Sequence, residues 1–225
     1  MFVSNMTVQF PEPSPGEPQA STRQALLDAA GKVFAEAGFR DATVRQICNL
    51  AEANVAAVNY HFGDKENLYL NVLRHAHRTV NSQFPLSKVD PSLPPEQRLR
   101  LYVEYFLKRL FLQGPDSWMA KIMSREMIEP TKALDVIVNE EIRPNADELS
   151  QIVAQLLGGE ASPEAARLCS MSVVSQCLFY HHCRPVIGLL FPEMELNSNS
   201  IQPIADHITR FSLAGLKEFA PARSV

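Results

Sequence analysis

The sequence is short of several features that would mark particular classes of protein. Its 225 residues include only four cysteines, and no apolar run approaches the roughly 18 residues that a membrane-spanning helix needs. The N-terminus has neither a basic segment nor a continuous apolar stretch, so we expect no secretory signal and no membrane partner. Cys48, Cys169, Cys177 and Cys183 fall inside helical patterns, which favours reduced thiols in a cytoplasmic protein over a disulfide framework.

The usual motifs of catalysis are also missing. The chain has no glycine-rich loop that could hold a phosphate, no nucleophile elbow and no convincing pair of catalytic carboxylates. The acidic clusters at Asn139–Glu141 and Glu193–Glu195 are typical of solvated surfaces. We therefore expect a protein that is not an enzyme and that needs no cofactor.

The charge balance argues against a protein that coats nucleic acid or an anionic membrane with its whole surface. The formal net charge is −4, with 46% apolar and 20% charged residues, which is typical of a globular protein with a real core. A local basic face remains possible, because binding responds to the field at the contact and not to the total charge.

Helical periodicity runs through most of the chain. Residues 1–20 contain "PEPSPGEP" and predict a disordered arm, after which Ser21 and Gln24 form a capping box for a helix that Gly38 ends. Further helices are predicted at about 94–112, 117–128, 133–157, 162–182 and 201–219, with a kink at Pro144. Because no segment alternates with period two, we predict an all-α fold.

Two short helices stand out between these longer ones. Thr43 and Gln46 form a capping box for the first, and Asn54 caps the second, which Gly63 closes before Asp64 caps a longer helix. Short helices joined by a turn of three or four residues match the helix-turn-helix unit, whose second helix enters the major groove of DNA.

The second short helix has a face suited to DNA. If Val58 and Phe62 point inward, Ala56 and Tyr60 point nearly opposite at about 100° per residue, flanked by Ala57, Asn59 and, at the margin, His61. Alanine can contact a thymine methyl, asparagine can pair with adenine, and tyrosine or histidine can donate to phosphate. Arg45 can reach a base edge or a phosphate. Lys65 occupies the first position of its helix, where the dipole disfavours a cation unless a phosphate lies beyond.

These motifs resemble a known family. The order "TVRQIC", turn, "VAAVNYHFGDKENLY" and a long helix is similar to the N-terminal domain of TetR-family transcriptional regulators over about Thr22–Val80. Two positions depart from the family pattern, since Glu52 replaces a common glycine in the turn and Asn59 replaces a common tyrosine. The resemblance implies DNA contacts from Thr43, Arg45, Asn54, Val55, Ala56, Ala57, Asn59, Tyr60, His61 and Lys65.

The same family implies a three-part organisation. Residues 1–20 form the arm, 21–66 the helix-turn-helix domain, and 67–225 a larger helical domain for ligand binding and dimerisation. The C-terminal segments "CLFYHHCRPVIGLLF" and "IADHITRFSLAGL" are similar to the CecR-type branch of the family.

Dimerisation is also indicated by the residues themselves. The helix Ser162–His182 is apolar on nearly every side, and the last helix carries an apolar stripe with small residues, so we expect both to pair with their twofold mates. The predicted interface comprises Leu168, Val173, Val174, Phe179, Ile201, Ile204, Ala205, Ile208, Phe211, Ser212 and Gly215.

A cavity for an apolar or amphipathic effector is predicted in the C-terminal domain, with ordinary core packing as the alternative. Its candidate residues are Trp118, Met119, Met123 and Met127 on one short helix, facing Tyr102, Phe106, Phe111, Cys169, Cys177 and Tyr180.

Two functions are possible for the C-terminal domain, namely sensing of a metal or an oxidant and binding of a small-molecule effector. Cys177 and His181 are spaced i, i+4 beside His182 and Cys183, which would suit a metal or an oxidant sensor. The favoured hypothesis is a homodimeric repressor that binds a palindromic operator in double-stranded DNA and is released by a small-molecule effector.

Overall fold

The computed structural model describes residues 18–86, 89–111, 117–158 and 161–219, and within these ranges its regular structure is entirely helical. The prediction of an all-α fold is confirmed. None of the described helices is both long and apolar enough to cross a bilayer. The α-helices are α1 Pro18–Asp41, α2 Val44–Leu50, α3 Val55–Phe62, α4 Lys65–Gln83, α5 Pro95–Phe111, α6 Trp118–Ile128, α7 Lys132–Ile137, α8 Arg143–Leu157, α9 Pro163–His182, α10 Arg184–Leu190 and α11 Ile201–Phe219.

The chain forms two compact units. The N-terminal unit holds the described residues up to Ala76 together with 117–133, and the C-terminal unit holds the rest. The predicted boundary after residue 66 differs from this division in two ways. The first half of α4 stays in the N-terminal unit because Leu68, Val72 and Leu73 are buried there. Helix α6 belongs to the N-terminal unit as well, because it packs along α1.

Helix α1 begins earlier than predicted. It starts at Pro18, so Ser21 lies inside the helix and not at its N-cap, and the last three residues of the predicted arm are helical. Residues 1–17 of that arm lie outside the described residues. Gly38 interrupts the helix as predicted, with φ 77°, a left-handed value that favours glycine.

The contact between α1 and α6 depends on a second glycine. A Cβ atom at Gly31 would lie 2.8 Å from Cδ2 of Trp118, closer than carbon atoms pack. The Arg125 guanidinium then donates from Nε to the carbonyl of Ala35 at 3.2 Å and from Nη2 to that of Glu36 at 2.8 Å. Glycine therefore lets the indole approach the backbone of α1, and arginine binds carbonyl groups near the end of the same helix.

The turn between α2 and α3 contains a strained residue. Glu52 has φ 51°, and among the described residues it is the only one other than glycine with a positive φ. The family pattern usually has glycine at this position, so the sequence left open whether the turn adopts the same bend or a different one. The structure shows that the chain keeps the left-handed bend and does so with a glutamate.

We expect Glu52→Gly to raise the free energy of unfolding by about 0.5–1 kcal/mol, because relief of left-handed strain exceeds the entropy that glycine adds to the unfolded chain. Urea titration followed by circular dichroism measures the change. The control is Glu129→Gly, where φ is −127° and glycine should only destabilise. Equal losses in both variants would contradict the expectation.

The C-terminal unit packs around α5, α8, α9 and α11. The predicted kink at Pro144 takes the form of a π-helical turn over Val138–Ile142, which lies between α7 and α8. Proline has no N–H to donate and its ring crowds the preceding turn, so the ladder shifts and Arg143 donates to the carbonyl of Val138. Helix α10 was not predicted, because it is only seven residues long and contains Pro185 and Gly188.

Candidate nucleic-acid interface

Local capping fixes the start of α2. The Thr43 hydroxyl accepts from the Gln46 backbone N–H at 3.2 Å, and the Gln46 side-chain oxygen accepts from the Thr43 backbone N–H at 2.8 Å. The predicted capping box is confirmed. Ile47 and Cys48 are buried beneath the helix, whereas Arg45 is exposed on its outer side.

Helix α3 begins and ends as its sequence predicts. The Asn54 side chain accepts from the Ala56 N–H at 2.9 Å, and Gly63 ends the helix with φ 84°. At the next helix start the Asp64 carboxylate accepts from the Asn67 N–H at 2.7 Å. Each cap acts within three residues, which is why the sequence was sufficient to find it.

The outer face of α3 is open within the N-terminal unit. Val58 and Phe62 are buried, whereas Tyr60 is 73% and Val55 46% exposed. Of the other residues predicted to contact DNA, Thr43, Asn54, Ala56 and Asn59 are exposed and Ala57, His61 and Lys65 are half-buried. We call the side chains Val55, Ala56, Asn59 and Tyr60 the α3 face. It presents a methyl group, an amide and a phenol on a helix whose inner side is held in place by the buried Val58 and Phe62.

Lys65 has a structural role that the sequence did not reveal. Its Nζ atom donates to the carbonyl of Arg40 at 3.1 Å and lies 4.8 Å from the centroid of the Phe39 ring. The ammonium group thus joins the start of α4 to the end of α1, where carbonyl oxygens favour a cation. A phosphate is therefore not required to explain a lysine at the start of a helix. Since an ammonium has three N–H bonds, one donated to Arg40 is compatible with a phosphate contact.

The polar group that ties α6 to α4 was not predicted from the sequence. Glu126 is 1% exposed, and its carboxylate accepts from the Tyr69 hydroxyl at 2.7 Å and from the Thr131 N–H and hydroxyl at 3.0 Å. Glutamate is common on exposed helix faces, so its burial was unpredictable. The available signal was Gly31, because a glycine inside a strong helical pattern indicates close approach of another element.

The predicted effector residues divide between the two units. Trp118, Met119, Met123 and Met127 lie on α6 in the N-terminal unit, and Trp118 packs against Gly31. The other six lie in the C-terminal unit, where Tyr102, Phe111 and Cys177 are buried and Phe106, Cys169 and Tyr180 are half-buried. The sequence assigned α6 to the wrong unit because its apolar stripe did not show which helix would cover it.

The predicted dimer interface needs a similar correction. Six of its members are buried in the core of the C-terminal unit, where α11 packs on α5, α8 and α9. They are Val173 on α9 and Ile201, Ile204, Ala205, Ile208 and Ser212 on α11. These side chains are not available to a partner. Leu168, Phe179, Phe211 and Gly215 are exposed, and Val174 is half-buried.

The thiol and imidazole groups near the end of α9 do not form a metal site. Among the described residues, no three histidine, cysteine, aspartate or glutamate side chains are grouped so that they could hold a metal ion. Burial raises the pKa of Cys177 to about 12, which keeps this thiol protonated and unreactive at neutral pH.

Family profiles match both parts of the chain. The family described as "Bacterial regulatory proteins, tetR family" matches residues 26–72. The family described as "HTH-type transcriptional dual regulator CecR, C-terminal domain" matches residues 95–216, which is more than half of the sequence. The first match contains α2, α3 and the α3 face, and the second contains the core of the C-terminal unit.

Individual proteins agree with these matches. The dual regulator CecR of Shigella flexneri is 26% identical over 70% of this chain and 74% of its own length. The repressor NicS of Pseudomonas putida is 38% identical over 37% of this chain and 39% of its own length, so the match spans about two fifths of that relative. The crystal structure of a TetR-like regulator from Rhodococcus sp. RHA1 has the same fold, with a TM-score of 0.63, 21% identity, and coverage of 90% of this chain and 99% of that one. The chain therefore belongs to the TetR family of bacterial regulators, in its CecR-like branch, and is a DNA-binding transcriptional regulator, not an enzyme.

Proposed function

We propose that this regulator is a repressor that binds a palindromic operator as a homodimer and is released by a small molecule bound in the C-terminal unit. The observation that carries the proposal is the α3 face, which stands open on a helix anchored by Val58 and Phe62. Repression is supported by the similarity to the repressor NicS. The regulator would act in the bacterial cytoplasm, where the chromosome lies.

The exposed side chains divide into two kinds of DNA contact. Asn59 and Ala56 can reach base edges, where an amide pairs with adenine and a methyl group abuts thymine. Donors suited to phosphate oxygens, which position the protein without reading sequence, are carried by Arg45, Tyr60, His61 and Lys65. The Thr43 hydroxyl donates to the Gln46 side chain at 2.8 Å, so its contact with a phosphate would replace that bond. Asn54 is engaged in capping α3, so its contribution to DNA would come from its remaining amide N–H bonds.

We expect Asn59→Ala to cost roughly 1–3 kcal/mol on the preferred operator and little on unrelated DNA, because only a base contact discriminates sequence. Fluorescence anisotropy with an inverted repeat taken from the protein's own promoter region measures both affinities. Lys65→Ala is the contrasting variant. It should weaken binding to all sequences and reduce the slope of log K against log salt by about one.

If both variants bind the operator as tightly as the parent protein, the α3 face is not the recognition surface. Because Lys65→Ala also removes the bond to Arg40, its fold must be checked by circular dichroism before the salt slope is interpreted.

The homodimer is supported by apolar side chains on α9 and α11. Leu168, Met171, Phe179 and Phe211 are all more than half exposed, an arrangement that marks an interaction surface. Between the two helices lies an open groove of about 410 Å³, lined in part by Phe179, Tyr180 and Phe211. A second copy would cover the apolar side chains that the protomer's own core leaves open.

We expect Phe211→Ala to weaken dimerisation by at least about tenfold, because large aromatic side chains dominate interface energies. Sedimentation equilibrium gives the dissociation constant. The control is Leu189→Ala on α10, which removes an apolar side chain that is more exposed than Phe211 but lies outside the α9 and α11 surface. A monomeric parent protein, or identical constants for both variants, would argue against this interface.

Release by an effector would work through the distance between the two recognition helices. Palindromic half-sites lie about one helical turn, 34 Å, apart, so a ligand that changes this distance forfeits the contacts of one half-site. The residues that support an effector site in the C-terminal unit are Tyr102, Phe106, Phe111, Cys169, Cys177 and Tyr180, which join aromatic rings to small polarizable thiols.

A further inference from the structure

Three buried polar atoms without a hydrogen-bond partner lie in one part of the C-terminal unit. They are Nε2 of His77, Oδ1 of Asn81 and Nη2 of Arg109, each shielded from solvent. His77 and Asn81 are one turn apart on α4, and Arg109 on α5 is close enough to affect the pKa of His77. Buried polar atoms are nearly always paired, so three unpaired ones together require an explanation.

Neighbouring bonds hold two of these side chains in place. The Asn81 Nδ2 group donates to Oε2 of Glu141 at 2.6 Å, and Nε of Arg109 donates to the carbonyl of Phe84 at 2.7 Å. Asn81 and Arg109 therefore each have one polar atom that is hydrogen-bonded and a second that has no partner. Glu141 belongs to the π-helical turn Val138–Ile142, and such turns occur frequently at functional sites.

The charge states define what this cluster can bind. Burial and the nearby Arg109 lower the pKa of His77 to about 4, so its imidazole is neutral at pH 7. Burial lowers the pKa of Arg109 to about 10 against the opposing effects of Tyr102 and the Glu141 carboxylate, which leaves the guanidinium charged. The cluster thus offers a cationic donor in Arg109, an acceptor in Asn81, and a neutral ring in His77 that can donate or accept.

Apolar rings lie close to this polar cluster. Tyr102 is buried and stacks on Phe106, with ring centroids 6.2 Å apart. Arg109 partly offsets the rise that burial causes in the pKa of Tyr102, and the Cys177 thiol also acts on that pKa, which places both groups near the tyrosine. A ligand held by Arg109 would have aromatic and thiol surface beside it.

We propose that His77, Asn81 and Arg109 form the polar end of the effector site, which binds a small amphipathic acid with a hydroxyl group. The carboxylate accepts from Nη2 of Arg109, as guanidinium and carboxylate groups pair strongly, and the hydroxyl donates to Oδ1 of Asn81. The inference rests on the proposed function and names the chemical class of its effector.

The monohydroxybenzoates are suitable probes, because their three isomers place a carboxylate and a hydroxyl at three separations on one apolar ring. We expect at least one isomer to bind the full-length protein in isothermal titration calorimetry, and Arg109→Met to weaken that binding at least tenfold. Arg100→Met is the matched control, since it removes a partly exposed arginine from the same helix and should leave the affinity unchanged. Binding by no isomer, or equal binding by the two variants, overturns the proposal.

A second variant tests the site without any ligand. If His77 is kept for binding and not for folding, His77→Leu removes a buried unpaired nitrogen and should raise the Tm by about 3 °C. The same variant should lose affinity for the isomer that binds. A fall in Tm with unchanged affinity would show that His77 is structural and that the cluster holds only water.

Operator binding, measured in parallel, separates this inference from the function on which it rests. Protein that binds the inverted repeat but no hydroxybenzoate contradicts only the effector class. Protein that binds hydroxybenzoate but no inverted repeat contradicts the proposed repressor and leaves the site intact.

Discussion

Replacing Arg98 with methionine is expected to lower the free energy of unfolding of the C-terminal unit by about 3 kcal/mol. Arg98 is 4% exposed and joins α5 to α8 through two bonds. Its Nη2 atom lies 2.7 Å from Oε1 of Glu148, and its Nη1 atom donates to the Gln155 side chain at 3.0 Å. Methionine fills part of the space but leaves the Glu148 carboxylate, itself largely buried, without its cation.

Most of this loss comes from the unpaired glutamate and not from the value of the ion pair itself, because both partners gave up hydration to meet. The double variant Arg98→Met with Glu148→Leu should therefore recover most of the lost stability. Urea denaturation followed by circular dichroism provides the values.

Arg100 supplies the matched control. It forms a comparable pair with Asp206 at 2.9 Å, also between α5 and another helix, but both side chains are more than 40% exposed. Solvent screens such a pair, so Arg100→Met should cost less than about 1 kcal/mol. Similar losses for the two arginines would show that burial does not govern these interactions.

The second large effect is expected at Glu126 in the N-terminal unit. Glu126→Leu removes the acceptor for three donors, namely the Tyr69 hydroxyl and the N–H and hydroxyl of Thr131. A buried donor left without a partner costs about 1–3 kcal/mol, so we expect a total loss of about 3 kcal/mol once leucine's own apolar burial is credited. Thermal unfolding monitored by circular dichroism should show a lower Tm for the transition of this unit.

Glu129→Leu serves as the control, since this glutamate lies three residues further on and is exposed. Its replacement should change the unfolding free energy by no more than about 0.5 kcal/mol. If Glu126→Leu were equally harmless, the carboxylate would not be what holds α6 against α4. Reduced operator affinity of Glu126→Leu at temperatures where the unit is partly unfolded would connect this packing to DNA binding.

Much of the N-terminal unit could be predicted because its signals are local. Thr43, Gln46, Asn54 and Asp64 satisfy backbone groups within three residues, so their effect on helix boundaries does not depend on the rest of the molecule. Val58 and Phe62 likewise define the inner side of α3 by their spacing alone. The outer side then follows from geometry, and with it the exposed α3 face.

Interpretation from the sequence was incomplete or wrong where a side chain's role depends on a distant partner. The phosphate contact of Lys65 remains a prediction, but the sequence did not reveal that its ammonium also binds the carbonyl of Arg40, 25 residues away in sequence. Ser21 and Gln24 matched a capping box, yet α1 continues past them to Pro18, and the Gln24 side chain donates to Asp28 and lies 3.3 Å from His75. A capping motif is therefore not sufficient to locate the start of a helix when the residues before it are helical as well.

Residue patterns alone were sufficient to predict the helical class, the ends of α2 and α3, and the side of α3 that faces outward, because helix caps and i, i+4 spacing act over a few residues. The packing of helices distant in sequence placed α6 in the N-terminal unit, put the stripe of α11 in the core of the C-terminal unit, and brought Asn81 to Glu141 of the π-helical turn. An apolar stripe indicates that a helix face must be covered, but it does not indicate which element covers it. That choice depends on the shapes of surfaces far apart in the chain, such as the gap that Gly31 leaves for Trp118.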